Sequence, residues 1–410
     1  MMAAISAASA GLDGIMILEH NDRVGKKLLS TGNVRCNITN IDPDPEYYGS
    51  SLFINEVLSG FSVDDTMNFF EDLGLMLSVE DQGRVYPRCS QASAVLDILR
   101  FACDRYGIDI ICSVKIQSID KRDGYYSIRF NGIGVETRSV IIACGGKAAP
   151  FTGSDGSINP LLERMNYSFA PQTPALVPFA ADPALTKTLK GVRVKGDVLL
   201  VKGKNNVIAR ESGEIQFNEG SISGVCVMQL SARVAGDDDL CLAIRLFPEL
   251  SRQQIFDRLK AKREQMAKAG IADYLIGFVN KKLGIQIIKR SLNEKLNRHC
   301  GDLDDNELGK IADMLFEMRI PVRGLCGFDK AQVTSGGLLT AQFDRRTLMS
   351  IKDNGLFACG EILDVHGLCG GYNLQWAWSS GYVAGSSAAR FVLHNGRGFN
   401  QRMAKWGSER

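Results

Sequence analysis

Residues 355–385, GLFACGEILDVHGLCGGYNLQWAWSSGYVAG, place a short apolar run, a glycine–acid pair, two consecutive glycines and a long apolar segment in succession. The run at 356–359 is typical of a buried strand, and Gly360 with Glu361 follows at its carboxyl end. Gly371 then leads into a helix predicted for residues 374–393, whose free N–H groups and positive dipole end face whatever lies before it. This order predicts a nucleotide-binding turn, and the alternative is a glycine-rich turn before a core helix.

The first 20 residues fit the same kind of domain. Residues 1–10, MMAAISAASA, favour a helix, Gly11 can end it, and the apolar run at 15–18 predicts a buried parallel strand that ends at Glu19. An acidic residue at this place accepts hydrogen bonds from ribose hydroxyls, about 20 residues after a glycine-rich phosphate loop. We therefore expect that the first strand and its glycine loop are missing from the front of the chain. The alternative is that Glu19 merely ends an ordinary strand.

Further segments extend this α/β pattern. Residues 91–112 predict an amphipathic helix followed by another parallel strand. Three short alternating runs within 114–138, separated by glycine turns, predict a three-stranded meander. A buried strand at 139–143 ends close to Gly145 and Gly146, where the missing side chains allow a close backbone approach.

Composition limits the classes of function. With 45% apolar and 23% charged residues and a formal net charge of +2, the chain is typical of a globular protein without a basic field for nucleic acid or an anionic membrane. Its eleven cysteines include no C-x-x-C pair, so zinc, iron–sulfur and disulfide sites lose support. We expect no metal, no nucleic-acid partner, no membrane segment and a cytoplasmic location. The sequence does not predict an oligomeric state.

Two long motifs carry a more specific signal. Residues 25–40, GKKLLSTGNVRCNITN, and 355–385, with QGRVYPRCSQAS at 82–93 and TPALVPF at 173–179, resemble the YhiN-like or BaiN-like NAD(P)/FAD-dependent oxidoreductases, aminoacetone oxidase-like bacterial flavoproteins. The resemblance covers residues 1–389. It implies an FAD-dependent oxidoreductase that transfers hydride between the flavin and a small organic substrate such as a ketone, an enone or an amine. Because no second G-x-G-x-x-G unit occurs, any NAD(P)H is expected to bind as a transient co-substrate.

The resemblance implies cofactor-binding positions in several segments of the chain. They are Glu19, Lys27, Arg35, Cys36, Asn37, Val114, Gly145, Gly146, Gly360, Glu361, Asp364, Gly371, Tyr372, Asn373 and Leu374. Residues 35–37 are expected beside the flavin and its phosphates, because a guanidinium suits phosphate or a flavin carbonyl. The alternative for this segment is a solvated basic loop.

Reactive side chains are harder to assign. Cys36 and Cys144 lack C-x-x-C spacing, so packing is preferred over a redox role. His366 and Tyr372 are candidate proton donors beside a flavin. No catalytic residue is assigned, because hydride transfer through a flavin needs no protein nucleophile.

The resemblance also implies the domain plan. We expect a discontinuous Rossmann-like FAD-binding domain at 1–170 and 325–410, an inserted antiparallel β-barrel at 171–250 and a helical subdomain at 251–324, with the substrate between insert and flavin domain. The alternative function is a truncated, non-enzymatic remnant with impaired FAD binding, because unpaired strand edges are costly inside a domain.

Overall fold

The computed structural model describes residues 1–49, 51–234, 239–293 and 296–395. The chain divides into two units, Met1–Thr173 with Val333–Arg410 as unit 1 and Pro174–Gln332 as unit 2. The domain boundaries expected at residues 170, 250 and 324 stay predictions.

Twelve α-helices occur in the described residues. They are α1 Met2–Ser9, α2 Lys26–Ser30, α3 Leu52–Gly60, α4 Val63–Asp72, α5 Ala92–Arg105, α6 Asn159–Arg164, α7 Pro183–Thr186, α8 Val225–Ser231, α9 Arg252–Gln265, α10 Lys281–Leu292, α11 Asp305–Phe316 and α12 Tyr372–Asn395. None of them, within the described ranges, combines the length and the apolarity that crossing a bilayer requires.

Eighteen strands accompany these helices in the same part of the chain. They are β1 Met16–Leu18, β2 Thr39–Asn40, β3 Leu77–Val79, β4 Arg84–Pro87, β5 Asp109–Ile111, β6 Ile116–Arg122, β7 Tyr125–Phe130, β8 Ile133–Thr137, β9 Val140–Ile142, β10 Thr173–Ala175, β11 Phe179–Ala181, β12 Arg193–Lys202, β13 Asn206–Asn218, β14 Ser221–Ser223, β15 Leu240–Arg245, β16 Met318–Leu325, β17 Val333–Ser335 and β18 Leu356–Ala358.

Unit 1 contains two separate pairs of parallel strands. β1 pairs with β5, with Met16 opposite Asp109, and β18 pairs with β9, with Leu356 opposite Val140. Each pair forms a two-stranded sheet of its own in the described residues. The carboxyl ends of such strands are where α/β proteins bind ligands. The predicted meander is confirmed, because β6, β7 and β8 form a three-stranded antiparallel sheet.

Helix α12 is the longest helix and lies against α1. A Cβ atom on Gly385 would overlap the carbonyl oxygen of Ala3, so only glycine permits this approach. Ser6 Oγ adds a hydrogen bond to the carbonyl oxygen of Tyr382 at 2.9 Å. Trp376 and Trp378 are buried on the same helix. α12 therefore fixes the N-terminal helix and carries a large part of the apolar packing of unit 1.

Unit 2 is built on a closed barrel of six antiparallel strands in the order β11-β14-β13-β12-β15-β16. Alternating side chains such as Val198, Leu200, Phe217 and Leu242 fill its interior and are completely buried. Helices α8–α11 contribute to the same apolar core. The predicted fold class, a Rossmann-like α/β domain with an antiparallel barrel and helices, is confirmed.

Candidate functional site

Lys27 and Glu361 form an ion pair between segments that follow β1 and β18. The 3₁₀ turn Gly360–Ile362 presents Glu361, whose Oε2 accepts a hydrogen bond from Lys27 Nζ at 2.7 Å and whose Oε1 accepts one from the Thr334 N–H at 2.7 Å. Lys27 Nζ also donates to the Ala148 carbonyl oxygen at 3.2 Å. Their side chains are 29% and 17% exposed, so each charge is partnered and partly desolvated.

Glycines allow the chain after β9 to reach this pair. A Cβ atom on Gly146 would overlap Thr334 Oγ1, and one on Gly145 would lie 2.5 Å from Ser154 Oγ. Thr334 Oγ1 in turn accepts hydrogen bonds from the N–H groups of Lys147 and Ala148, at 2.8 and 3.0 Å. The Gly-Gly turn, Thr334 and Glu361 are thus one hydrogen-bonded cluster at the carboxyl ends of β9 and β18.

Glu19, which the sequence predicts to bind a ribose, directly follows β1. Glu19 is partly exposed, and its Oε1 accepts a hydrogen bond from the N–H of Asn21 at 2.8 Å. The N–H of buried Val114 donates to the Glu19 carbonyl oxygen at 2.9 Å. Glu19 and Val114 therefore lie together beside β5, as a nucleotide-binding turn requires.

The loop between α2 and β2 has an unusual backbone. Gly32, Asn33, Val34 and Cys36 have φ angles of 57°, 57°, 66° and 60°. A β-branched residue such as Val34 is rarely found in this left-handed region, and strain of this kind persists where surrounding contacts impose it. One such contact is the hydrogen bond from the Ala92 N–H to the Val34 carbonyl oxygen at 2.9 Å.

Arg35 lies in this loop but its side chain has other partners. The guanidinium forms an ion pair with Glu80 and stacks on the ring of Tyr86, 4.1 Å from its centre. The hydrogen bond from Arg35 to Glu80 raises the pKa of the guanidinium further above its ordinary value. The structure does not place Arg35 in the cluster of Lys27 and Glu361.

Cys36 is fully buried, and this burial raises the pKa of its thiol to about 12. A thiol that stays protonated at neutral pH is a poor nucleophile. Cys36 therefore acts as a packing group in this structure.

Asn37 is the next residue and is unusual in its bonding. It is 9% exposed, and its carboxamide makes no hydrogen bond within the described residues; Oδ1 is buried without a partner. The N–H of Ile38 donates to the Val85 carbonyl oxygen at 2.8 Å, so the backbone is extended and regularly paired from there on. Asn37 lies two residues before Thr39, the first residue of β2.

Strand β2 contacts the N-terminal part of α12. Thr39 Oγ1 donates to Gln375 Oε1 at 2.5 Å, and a Cβ on Gly371 would lie 2.5 Å from the Thr39 carbonyl group. Asn40 Nδ2 donates to the Gly370 carbonyl oxygen at 3.0 Å. The glycine turn and the first turn of α12 are thus fixed against β2, and the first N–H groups of the helix have no intrahelical acceptor.

The other sequence-predicted residues of this turn form contacts that hold the turn in place. Asn373 Oδ1 accepts from the Gly367 N–H at 2.8 Å, and its Nδ2 donates to the Gly367 carbonyl oxygen at 2.9 Å. The Tyr372 ring packs on Tyr47 with 4.8 Å between ring centres, and burial raises the pKa of its hydroxyl to about 12. Leu374 is partly buried in the same turn. Tyr372 and Asn373 hold the helix terminus in place.

Asp364 and His366 lie in the segment that precedes the glycine turn. The N–H of Asp364 donates to the Leu338 carbonyl oxygen at 2.9 Å, and burial raises the pKa of its carboxyl group. Burial lowers the pKa of His366, although the charges of Asp364 and Glu361 act in the opposite direction. Burial therefore favours the neutral form of His366, and a neutral imidazole can donate one N–H without carrying charge.

The structure thus brings most of the sequence-predicted residues together in three groups and leaves Arg35, Cys36 and Asp364 outside them. The first group contains Lys27, Gly145, Gly146, Gly360 and Glu361, and the second contains Glu19 and Val114. The third is the α12 turn with Gly371, Tyr372, Asn373 and Leu374, and Asn37 lies two residues before Thr39, against which this turn packs. Sequence reasoning missed Thr334, Asn40 and Gln375. The glycine pair after β17, at residues 336–337, is the signal that could have indicated Thr334, because paired glycines after a strand often mark a close backbone approach.

Comparison with known proteins gives a consistent result. A family model described as "HI0933-like protein Rossmann domain" matches residues 1–387. The 3-dehydro-bile acid delta(4,6)-reductase of Clostridium scindens is 34% identical over 396 residues, which cover 95% of this chain and 96% of that protein. The ribosomal RNA dihydrouridine synthase of Escherichia coli is 25% identical over 381 residues, 92% of this chain and 93% of that protein.

A solved structure, the 3-ketosteroid-delta4-(5alpha)-dehydrogenase from Rhodococcus jostii, superimposes with a TM-score of 0.45 at 15% identity. The superimposed part covers 95% of the present chain and 94% of the dehydrogenase chain.

Proposed function

This chain belongs to the HI0933-like Rossmann domain family, and from that premise we propose that it is an FAD-dependent oxidoreductase that reduces a carbon–carbon double bond conjugated to a carbonyl group. The observation that carries the proposal is the anchored N-terminus of α12. Gly371 rests on Thr39, and the carbonyl oxygen of Gly360, just after β18, accepts a hydrogen bond from Trp376 Nε1 at 3.1 Å. A helix terminus fixed in this way is suited to negative charge on a reduced ring.

The names of two relatives support the reaction class. A delta(4,6)-reductase acting on a 3-dehydro bile acid and a dihydrouridine synthase both saturate a carbon–carbon bond next to a carbonyl system. We extend this shared chemistry to the present chain and expect a small enone as substrate. The reductant is expected to be NAD(P)H, bound transiently.

The residues present fit FAD as a resident cofactor. Glu19 and the backbone of Val114 would hold the adenosine part, and the cluster of Gly145, Gly146 and Glu361 the part between adenosine and ring. The buried Oδ1 of Asn37, which has no partner in the described residues, offers unused hydrogen-bonding capacity for the ring. When bound, FAD supplies the hydride.

The protein's own groups then have defined tasks. The N–H groups at the start of α12 stabilise negative charge on the ring. Lys27 holds the Glu361 side chain in place through their 2.7 Å contact. His366, whose pKa lies below its ordinary value, is suited to donate a neutral hydrogen bond to a carbonyl oxygen.

The test uses the purified 410-residue chain. We expect it to retain FAD, to be bleached by NADH or NADPH without oxygen, and to be reoxidised by a cyclic enone. The matched control is the corresponding saturated ketone, which should leave the flavin reduced. Protein that retains no flavin would favour the non-enzymatic alternative, whereas reoxidation by amines or saturated ketones alone would refute the enone assignment.

A further inference from the structure

Asn37 differs from the other buried polar side chains around α12. Thr39 and Gln375 bond to each other at 2.5 Å, and Asn40 Nδ2 bonds to two carbonyl oxygens at 3.0 Å each. Asn159, the other asparagine of similar burial with a partnerless oxygen, still donates to Gln172 at 2.7 Å. Only the Asn37 carboxamide, among these, bonds to nothing in the described residues. Burying the Asn37 Oδ1 without a partner is costly, so a ligand that donates a hydrogen bond to it gains the free energy that the protein alone forgoes.

The backbone around Asn37 supplies a second, independent observation. Four of the residues at 32–36 are in the left-handed region, and a Cβ on Gly32 would lie 2.6 Å from the Asn37 backbone nitrogen. The strained loop is therefore packed directly against Asn37 and fixes where its side chain begins. Strain of this kind collects at ligand clamps, where the geometry of one side chain matters more than local stability.

The chemistry of a carboxamide indicates which ligand group it recognises. It offers one acceptor oxygen and an NH₂ donor side by side. The complementary partner is an imide edge, in which an N–H lies next to a carbonyl oxygen. The pyrimidine ring of the isoalloxazine has this edge, and so does a uracil base.

We propose that Asn37 is the residue that recognises an imide edge, accepting a hydrogen bond from the imide N–H and donating one to the adjacent carbonyl oxygen. Asn37 lies two residues before Thr39, which bonds to Gln375 in the first turn of α12, so the imide would lie near the start of this helix. The inference rests on the proposed flavin site. It goes further by naming the ligand atoms that one side chain binds, in FAD or in a uracil-containing substrate.

The experiment is a double-mutant cycle between the protein and the ligand. The flavin-free 410-residue protein, as wild type and as Asn37→Leu, is titrated with FAD and with FAD methylated at N3, and binding is followed by flavin fluorescence. We expect N3 methylation to weaken binding to the wild type about 10- to 100-fold, because it removes one donor and leaves a buried acceptor unpaired. Asn37→Leu should bind FAD more weakly by a similar factor and should not discriminate between the two flavins.

A second arm separates the two sources of the imide. Uridine and N3-methyluridine are titrated into the FAD-loaded protein. The imide belongs to the substrate if the wild type discriminates between the two uridines but not between the two flavins, and if Asn37→Leu no longer discriminates between the uridines. The inference is overturned if neither N3 methylation nor Asn37→Leu changes the affinity for the flavin or for the uridine. The proposed function stays intact in that case, because the protein still binds FAD. Failure of the wild type to bind FAD at all refutes the proposed function instead.

A folding control is available in the same loop. Asn37→Leu replaces an amide without partners and should leave the melting temperature of the flavin-free protein unchanged or higher. Asn40→Leu, which removes hydrogen bonds to Gln82 and Gly370, should lower it. A large drop for Asn37→Leu would show that the amide is bonded within the protein, and would also overturn the inference.

Discussion

Two buried polar side chains, one in each unit, differ in their hydrogen bonding. In the barrel of unit 2, the carboxylate of Asp197 is buried and accepts hydrogen bonds from Arg210 and from Ser212 Oγ, the latter at 2.6 Å. In unit 1, the carboxamide of Asn37 is nearly as buried and bonds to nothing in the described residues. Full partnering is what stability requires, and its absence leaves bonding capacity for a ligand.

The two units also differ in how their strands are arranged. Unit 2 closes six strands into a barrel, which removes all open edges. Unit 1 has two parallel pairs, and long-range side-chain contacts such as Lys27–Glu361 and helix contacts such as α1–α12 connect its segments. We infer that unit 2 contributes scaffold stability and that unit 1 contains the binding chemistry.

The largest effect is expected in the barrel. Phe217→Ala should cost about 3 to 5 kcal/mol, because Phe217 is completely buried on β13 and truncation leaves a cavity. Amide hydrogen exchange of β12–β15 would detect the loss. Val207→Thr, at a position 50% exposed on the same strand, is the control and should change stability by less than about 0.5 kcal/mol. Similar losses for both variants would contradict a tightly packed barrel.

A smaller effect is expected where α1 meets α12. Gly385→Ala should destabilise unit 1 by about 2 to 3 kcal/mol, because the new Cβ overlaps the Ala3 carbonyl oxygen. Tryptophan fluorescence reports on this unit, because residues 174–332 contain no tryptophan. Gly381→Ala is the matched control: its Cβ would lie 3.2 Å from flexible side-chain atoms of Met2, so the loss should be smaller. The reverse order would show that the helices are not in close contact.

The Asp197 network predicts a dependence on pH. Burial alone would raise the pKa of Asp197, but hydrogen bonds from Ser212 and Arg210 outweigh it and hold the pKa below its ordinary value of 3.8. The resulting stability is present above about pH 4 and is lost as pH falls through the folded-state pKa. Asp197→Asn should therefore cost about 2 kcal/mol at pH 7 and less near pH 3.

Urea denaturation at the two pH values measures this difference. Asp305→Asn, which alters an ion pair that is about half exposed, should cost under about 1 kcal/mol at pH 7. A cost for Asp197→Asn that does not change with pH would contradict the assigned cause.

The smallest expected effect is a gain in stability rather than a loss. Val34→Gly should stabilise flavin-free unit 1 by about 1 kcal/mol, because glycine adopts a φ of 66° without steric strain. Val79→Gly, at a similarly exposed valine on β3, should instead destabilise by a comparable amount. Thermal unfolding followed by tryptophan fluorescence distinguishes the two. If Val34→Gly also destabilises the protein, the loop is not strained at this residue.

Local patterns predicted much of the fold. Period-two alternation predicted the meander and strands of the barrel, and the glycine turn with its apolar run predicted α12 within two residues at each end. The barrel also takes its last strand from β16, after a run of helices, and no local pattern indicates that return.

The sequence did not predict which distant residues pair with each other at the site. Glu80 lies 45 residues from Arg35 and Glu361 lies 334 residues from Lys27, and no spacing rule connects such positions. The sequence therefore identified which residues have binding chemistry but not which of them pair with each other. Arg35 illustrates this: its residue type fits phosphate, and its position pairs it with a carboxylate.

The most direct test of the account is flavin retention by the purified 410-residue chain, measured from its visible absorbance and from FAD released on denaturation. The account predicts one FAD per chain, with a melting transition of the tryptophan-containing unit that rises when FAD is added to flavin-free protein. Colourless protein whose transition does not respond to added FAD would contradict it.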